Sequence, residues 1–299
     1  MRAWSSAKTA GHMQYFEPNF IGEALVVLDR FGGRAKVLAG GTLLGPHLRA
    51  HPGDADALVN LKRIRDLSEI RLDGSTLHIG ALATARTIAR DPFIAQHAPL
   101  LALAAGSLGA PQLRTVATIG GNVLSTHHAA DMACALLACD ATATIAKLDD
   151  ATLSLPVEQM LAPGFAGLQT GSLLSAFSIS SAAGSRCAFE KMQTRQAFEL
   201  ALVSACASIR AAANGNVLDA RIALGGAAHT PIRAVAAEQA ITGGDLSASR
   251  IAVAARAAGD VDAEPPDDDR ASSAYRRQLV RTLVTRVLND VRHSSSGDA

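Results

Sequence analysis

The sequence predicts an α+β fold in two parts, and three observations carry that prediction. Helical and strand-like patterns alternate from Pro18 to Ser180. Two of the strand-like runs end in glycine pairs, Gly40-Gly41 and Gly120-Gly121. Near Gly184 the order changes to strand, long helix, strand and further helices.

The first helix is expected over Pro18 to Phe31. Pro18-Asn19 opens it, Ile21, Leu25 and Leu28 share a face, and Gly32-Gly33 ends it. A strand from Arg34 to Ala39 then runs into Gly40-Gly41-Thr42. Asp56 to Leu61 is a second short strand, and Thr76 to Gly80 alternates with period two. Pro92 to Leu108 is helical in pattern and very apolar, with Ile94, Leu100, Leu101 and Leu103, so it belongs in a core. The run Val116 to Ile119 leads into the second glycine pair. Asp131 to Cys139 reads as a helix with Asp131 as its N-cap, a role worth about 1 kcal/mol. Ala141 to Lys147 is a strand, and Ser172 to Ser180 alternates with Leu173, Phe177 and Ile179 on one face.

In the second part, Arg186 to Gln193 alternates as a strand does. Ala197 to Ala213 carries Leu200, Val203, Ala207 and Ile209 at helical spacing and stops at Asn214-Gly215, which predicts a long helix. Val217 to Leu224 is a strand running into Gly225-Gly226. The acidic, proline-containing stretch Asp262 to Asp269 is expected to be a solvated connector. Beyond it, Tyr275, Leu279, Leu283, Val287 and Val291 recur every four residues, with Arg276, Arg277, Arg281 and Arg286 off that face. This predicts an amphipathic helix docked on the second part, its arginines in solvent.

Composition narrows the function. The 299 residues allow roughly two domains, each able to bury a core. Charged residues make up 18% and the net charge is +1, which asks for neither nucleic acid nor an anionic membrane. No apolar run approaches the ~18 residues of a membrane span. The N-terminal residues lack the apolar core of a signal peptide, so the expected location is the cytoplasm. The four cysteines, Cys134, Cys139, Cys187 and Cys206, have no paired spacing and read as buried thiols; none forms a set for an iron–sulfur cluster.

The glycine pairs carry the chemistry. Adjacent glycines after a strand can take φ > 0 and turn successive N–H groups into one concavity that accepts an anion. Two such turns fit the two phosphates of a dinucleotide. Neither is followed by the lysine of GxxxxGK[ST], and GxGxxG opening a helix is absent, so an ordinary ATPase or nicotinamide-binding domain is excluded.

Three strings in order carry a resemblance: Leu38-Ala39-Gly40-Gly41-Thr42, then Gln112 to Asn122 with Thr118-Ile119-Gly120-Gly121-Asn122 at its end, then Asp131 and Leu136 to Ala141. Together they resemble the FAD-binding subunit of the molybdenum hydroxylases, the relatives of xanthine dehydrogenase, carbon monoxide dehydrogenase and aldehyde oxidoreductase. The likeness continues through Phe189 to Met192, Arg195 to Ala201, Arg221 to Gly226, Thr230 to Arg233 and Tyr275-Arg276-Arg277. It implies a PCMH-type FAD-binding domain over 1–182, made of two α+β subdomains of about 1–62 and 63–182. A smaller α+β domain is implied over 183–299.

Carried over residue by residue, the resemblance gives FAD contacts to Leu38, Ala39, Gly40, Gly41, Thr42 and Leu43 in the first turn. It gives others to Thr118, Ile119, Gly120, Gly121 and Asn122 in the second, with backbone N–H groups holding the pyrophosphate. Asp131 matches an FAD-contacting aspartate. Leu173 and Lys191 are placed by the flavin ring, Lys191 where a cation stabilises negative charge on the reduced flavin. Leu43 stands where the family commonly has a polar residue, and Val123 to Ala130, with His127 and His128, stands where it often has a proline.

The function so implied is electron transfer: electrons arrive from [2Fe–2S] clusters of a partner chain and leave to NAD or another acceptor. The protein supplies position and electrostatics, so no catalytic residue and no metal ligand is assigned. The implied partners are a molybdenum-cofactor large subunit and a [2Fe–2S] small subunit, in a dimer of heterotrimers. A stand-alone FAD-dependent oxidoreductase is the alternative. It needs substrate-site acids and bases of its own, and the C-terminal half offers no obvious cluster of them. A non-catalytic nucleotide-binding module ranks third.

Overall fold

The computed structural model describes residues 13–163, 165, 168, 170–182, 184–195 and 199–294. Residues 1–12 and Gln196-Ala197-Phe198 of the C-terminal motif lie outside the described residues. Helices and strands are mixed throughout, and the strands form three sheets, each with its own apolar core.

The first sheet is parallel, in the order β1 (Gln14–Phe16), β3 (Ala57–Asn60), β2 (Ala35–Leu38). Parallel neighbours need a crossover. Helix α1 (Ile21–Phe31) carries the chain from β1 past the position of β3 to β2 and buries Ala24, Leu25, Val27 and Leu28. Gly32, at φ +54°, ends it. Helix α2 (Leu44–Ala50) lies between β2 and β3 and starts directly after the first glycine turn.

The second sheet is antiparallel, in the order β4 (Ile70–Asp73), β5 (Thr76–Gly80), β8 (Ser172–Ser180), β6 (Thr142–Lys147), β7 (Thr152–Pro156). Between β5 and β6 run six helices: α3 (Ala85–Ile88), α4 (Pro92–His97), α5 (Pro99–Ser107), α6 (Pro111–Arg114), α7 (Ile119–Leu124) and α8 (Asp131–Ala138). α9 (Val157–Leu161) follows β7. The apolar stretch from Pro92 is thus two helices, broken at Ala98, whose φ of −143° leaves the helical region immediately before Pro99. All eight residues of α8 are buried, because it packs on α5 and on β10 and β11 of the third sheet.

That third sheet is antiparallel, in the order β12 (Ile232–Arg233), β11 (Val217–Gly225), β10 (Val203–Ala211), β9 (Arg186–Met192). α10 (Val235–Ile241), α11 (Ala248–Ala257) and α12 (Ser273–His293) form its second layer. Here the expected long helix is wrong: Val203–Ala211 is the central strand β10. Its residues are buried on both faces, so small apolar side chains follow one another without a period-two signal. Asn214-Gly215 is the turn of the β10–β11 hairpin, with Gly215 at φ +85°, and Asn-Gly is itself a strong hairpin signal.

Three further expectations are corrected in this layer. The acidic stretch is not merely solvated: Asp262 accepts the N–H groups of Ala236 and Ala237 at the start of α10, and Ala263 is buried. Arg276 is not on a solvated face but completely buried in α12. It is paired twice with Asp268 at 2.7 and 2.8 Å and also donates to the Leu202 carbonyl. Tyr275, assigned to the buried face, is half exposed.

Candidate functional site

The two glycine turns meet. A Cβ added to Gly40 stands 2.0 Å from the Val116 carbonyl oxygen, so the first turn lies directly against the backbone leading into the second. Gly41 has φ +73°, the left-handed conformation expected of such a turn. Among the described residues, no acceptor reaches the N–H groups of Gly40, Gly41, Thr42 and Leu43. This run of unused donors is open to an anion.

The second turn is built differently. Val116 to Ile119 forms no sheet strand; Thr118 bridges to Thr84 alone and then N-caps α7, its Oγ1 accepting the Gly121 N–H at 3.2 Å. Gly120 and Gly121 lie in the first turn of α7 without positive φ. The N–H groups of Ile119, Gly120, Gly121 and Asn122 go to Ala83, Ala81 and Thr118. The expected backbone cradle at 118–122 is therefore corrected: this segment offers close approach, with the Thr118 and Asn122 side chains. Gly120 is required because an added Cβ would lie 2.8 Å from the Ala81 oxygen.

A cleft of about 960 Å³ opens where these turns meet, within the size range of small-molecule and cofactor sites. Ala39, Gly40, Gly41, Thr42, Leu43, Thr118, Gly120, Gly121, Asn122, Asp131 and Leu173 all line it. Leu38, Ile119 and Lys191 do not; Ile119 is in the core behind the wall. Ala81-Leu82 and the Gly109 to Leu113 region also line the cleft and were not anticipated. Gly80 was a readable signal for the former. It closes a strand, and its Cβ would meet the Leu67 oxygen at 2.2 Å.

Asp131 is not the N-cap of α8, since that position is Ala130 and the Asn122 carboxamide oxygen accepts the Ala133 N–H at 3.2 Å. Its Oδ2 instead takes the Lys191 ammonium at 2.7 Å, and both side chains are more than nine-tenths buried. Lys191 also donates to the Ser107 carbonyl at 2.7 Å. It is thus a paired cation held behind Asp131, not a free charge on the cleft wall. Burial pushes the Asp131 carboxyl up, against the pull of Lys191. Asp131 Oδ1 is buried and has no donor.

His127 lines the same cleft. Its Nδ1 accepts the Ala129 N–H at 3.1 Å, so the neutral ring carries its proton on Nε2. Burial, then Arg270 and Arg276, hold its pKa below the ordinary value. His128 stacks on it at 4.4 Å and is pushed down to about 4, mainly by burial and then by His127.

These features fit a dinucleotide with a ring system. Four free N–H groups suit phosphate oxygens, and the lone buried carboxylate oxygen suits a hydroxyl or ring N–H donor. Leucines such as Leu82, Leu113 and Leu173 suit a flat apolar group.

Comparison with known proteins gives the same reading. Residues 11–180 match the FAD binding domain in molybdopterin dehydrogenase, and residues 187–291 match the CO dehydrogenase flavoprotein C-terminal domain. The chain is 31% identical to the alpha subunit of the 6-hydroxypseudooxynicotine dehydrogenase complex of Paenarthrobacter nicotinovorans, covering 93% of this chain and 94% of that one. It is 32% identical to a putative xanthine dehydrogenase FAD-binding subunit of Escherichia coli, over 88% and 91% of the two chains. A chain of carbon monoxide dehydrogenase from Hydrogenophaga pseudoflava superposes with a TM-score of 0.89 at 29% identity, over 94% and 98%. The twin-turn cleft and these matches agree: the chain belongs to the FAD-binding subunits of the molybdenum hydroxylase family.

Proposed function

We propose that this chain is the electron-transfer subunit of a molybdenum hydroxylase complex, receiving electrons from [2Fe–2S] clusters of a separate chain and passing them to NAD or another acceptor. The observation that carries the site assignment is the cleft between the two turns, with unused N–H donors at Gly40 to Leu43 and the unpartnered Asp131 Oδ1 on its wall. Bound FAD supplies a centre that accepts electrons singly and releases them in pairs. The chain's own residues bind and orient it. Gly40 to Leu43 hold phosphate oxygens, Thr118 and Asn122 offer side-chain polar atoms, and Leu173 packs by the ring. Asp131 Oδ1 accepts a hydrogen bond, while Lys191 favours the charged form of that carboxyl against the effect of burial and holds it in place.

We assign residues 1–182 to FAD binding, in subdomains of about 1–62 and 63–182, and 183–299 to a C-terminal domain. Three sheets with three cores support that division. The relatives are named as subunits or a medium chain, which supports separate partner chains; the assembly we propose for them is a dimer of heterotrimers with a molybdenum-cofactor large subunit and a [2Fe–2S] small subunit. Among the described residues no helix is long and apolar enough to cross a membrane.

The test is flavin reduction. Substrate of the complex should bleach the flavin only when the partner chains are present, and NADH should bleach the isolated chain if NAD is the acceptor. Substrate turnover by the isolated chain would overturn the subunit reading in favour of a stand-alone oxidoreductase.

A further inference from the structure

One group of side chains takes no part in the cleft chemistry described above. His47 and His51 sit four residues apart on α2 and its C-terminal boundary, and a turn closed by the Asp54 N–H on the His51 carbonyl at 3.1 Å returns Asp54 to them. One ligand-type atom from each of the three lies within 4.8 Å of the others. Among the described residues no other three His, Cys, Asp or Glu side chains converge so closely.

The local geometry is compatible with a bound metal ion as well as with an ordinary ion pair. His47 Nε2 and Asp54 Oδ2 are 2.8 Å apart, and the two imidazoles stack with centroids 4.8 Å apart. His51 Nδ1 donates to the His47 carbonyl at 3.2 Å. That bond fixes the His51 tautomer with its proton on Nδ1 and leaves the Nε2 lone pair free, the arrangement that orients metal-ligating histidines. Arg34, the nearby cation, is engaged by Asp56 at 2.7 Å, so it leaves Asp54 to the histidines. Tetrahedral zinc, with bonds of ~2.0–2.1 Å, sets its ligand atoms ~3.4 Å apart. Exposed side chains reach that spacing from 4.8 Å by small rotations.

We propose that His47, His51 and Asp54 form a binding site for a divalent transition metal of the zinc class. Two imidazoles and one carboxylate select borderline cations over magnesium or calcium. Three protein ligands leave at least one position for water. α2 starts at the end of the Gly40 to Leu43 turn and His47 also lines the cleft, so a bound ion clamps this helix beside the cofactor site. The proposal does not depend on how FAD is held.

The test is calorimetric titration of Zn²⁺ into the full-length, FAD-loaded chain carrying no polyhistidine tag, alongside the His51→Ala and Asp54→Asn variants. The wild type should take up one saturable equivalent with micromolar affinity, and each variant should bind at least tenfold more weakly with unchanged flavin content and circular dichroism. Mg²⁺ should give no saturable heat. Absence of saturable Zn²⁺ binding by the wild type overturns the proposal, as does equal binding by both variants.

Discussion

Gly40→Ala should separate the two turns and release the cofactor. The new Cβ would stand 2.0 Å from the Val116 oxygen and 2.9 Å from its carbonyl carbon, both backbone atoms that cannot rotate away. Interiors are close-packed, so relief needs the turn and the Val116 segment to part by roughly 1 Å. Overpacking of this kind costs about 1–3 kcal/mol, which as lost FAD affinity is roughly a 5- to 150-fold rise in Kd. The assay is FAD per chain after desalting, followed by titration of FAD into apoprotein. Gly22→Ala is the control: nothing lies within 4 Å of its added Cβ and it sits in α1, so it should keep its flavin and be up to about 1 kcal/mol more stable. Wild-type FAD affinity and thermal stability in Gly40→Ala would refute the reasoning that the turns abut.

Three further outcomes follow. Lys191→Met removes one partner of an ion pair more than nine-tenths buried and should cost about 3–5 kcal/mol in denaturant unfolding, together with loss of flavin; a change below about 1 kcal/mol would contradict the pairing with Asp131. Asp268→Asn weakens the pairing of the fully buried Arg276 and should destabilise the C-terminal layer by about 2–4 kcal/mol in the same assay, with flavin content measured alongside. His128 is held neutral in the folded chain, with a value of about 4 against 6.5. The unfolded chain therefore takes up the proton first as pH falls. Its contribution to stability is complete above pH ~6.5 and is lost between pH ~6.5 and 4, about 1–2 kcal/mol after allowing for solvent screening. His128→Gln should flatten the urea midpoint across that window, whereas Asp268, held down at about 2 by Arg276, loses its contribution only below pH ~3.8.

Much of the architecture was legible because local signals agreed with the fold. Thr76 to Gly80 and Ser172 to Ser180 have the expected bounds, but a register shift at Ser175 puts Leu174, not the expected Leu173, in the core with Phe177 and Ile179, and Leu173 joins the core of the first sheet. β10 failed because it is buried on both faces. Alanines at 205 and 207 pack there as readily as they fill a helix, and only Asn214-Gly215 pointed to a hairpin. Arg276 failed because its partner, Asp268, lies across a connector whose composition read as solvent-exposed.

The site divides in the same way. Gly40-Gly41 declared a turn by conformation alone, and Gly41 has the positive φ expected of it. Gly120-Gly121 look identical in sequence yet are glycines for closeness, to the Ala81 backbone and to Thr118. Long-range pairing decides such cases, and the Lys191–Asp131 contact spans 60 residues. No spacing rule reaches it. His127 shows the same limit, since its tautomer is set by the Ala129 N–H of a loop whose path the sequence does not reveal.

The most direct test of the central claim is the visible spectrum and FAD stoichiometry of the purified chain, with Asp131→Leu beside it. Asp131→Leu removes the unpartnered carboxylate oxygen of a cleft-lining residue and leaves the Gly40 to Leu43 donors in place. The predicted result is one FAD per wild-type chain and a clear loss of bound flavin in the variant. A colourless wild-type protein that refuses added FAD would contradict the account.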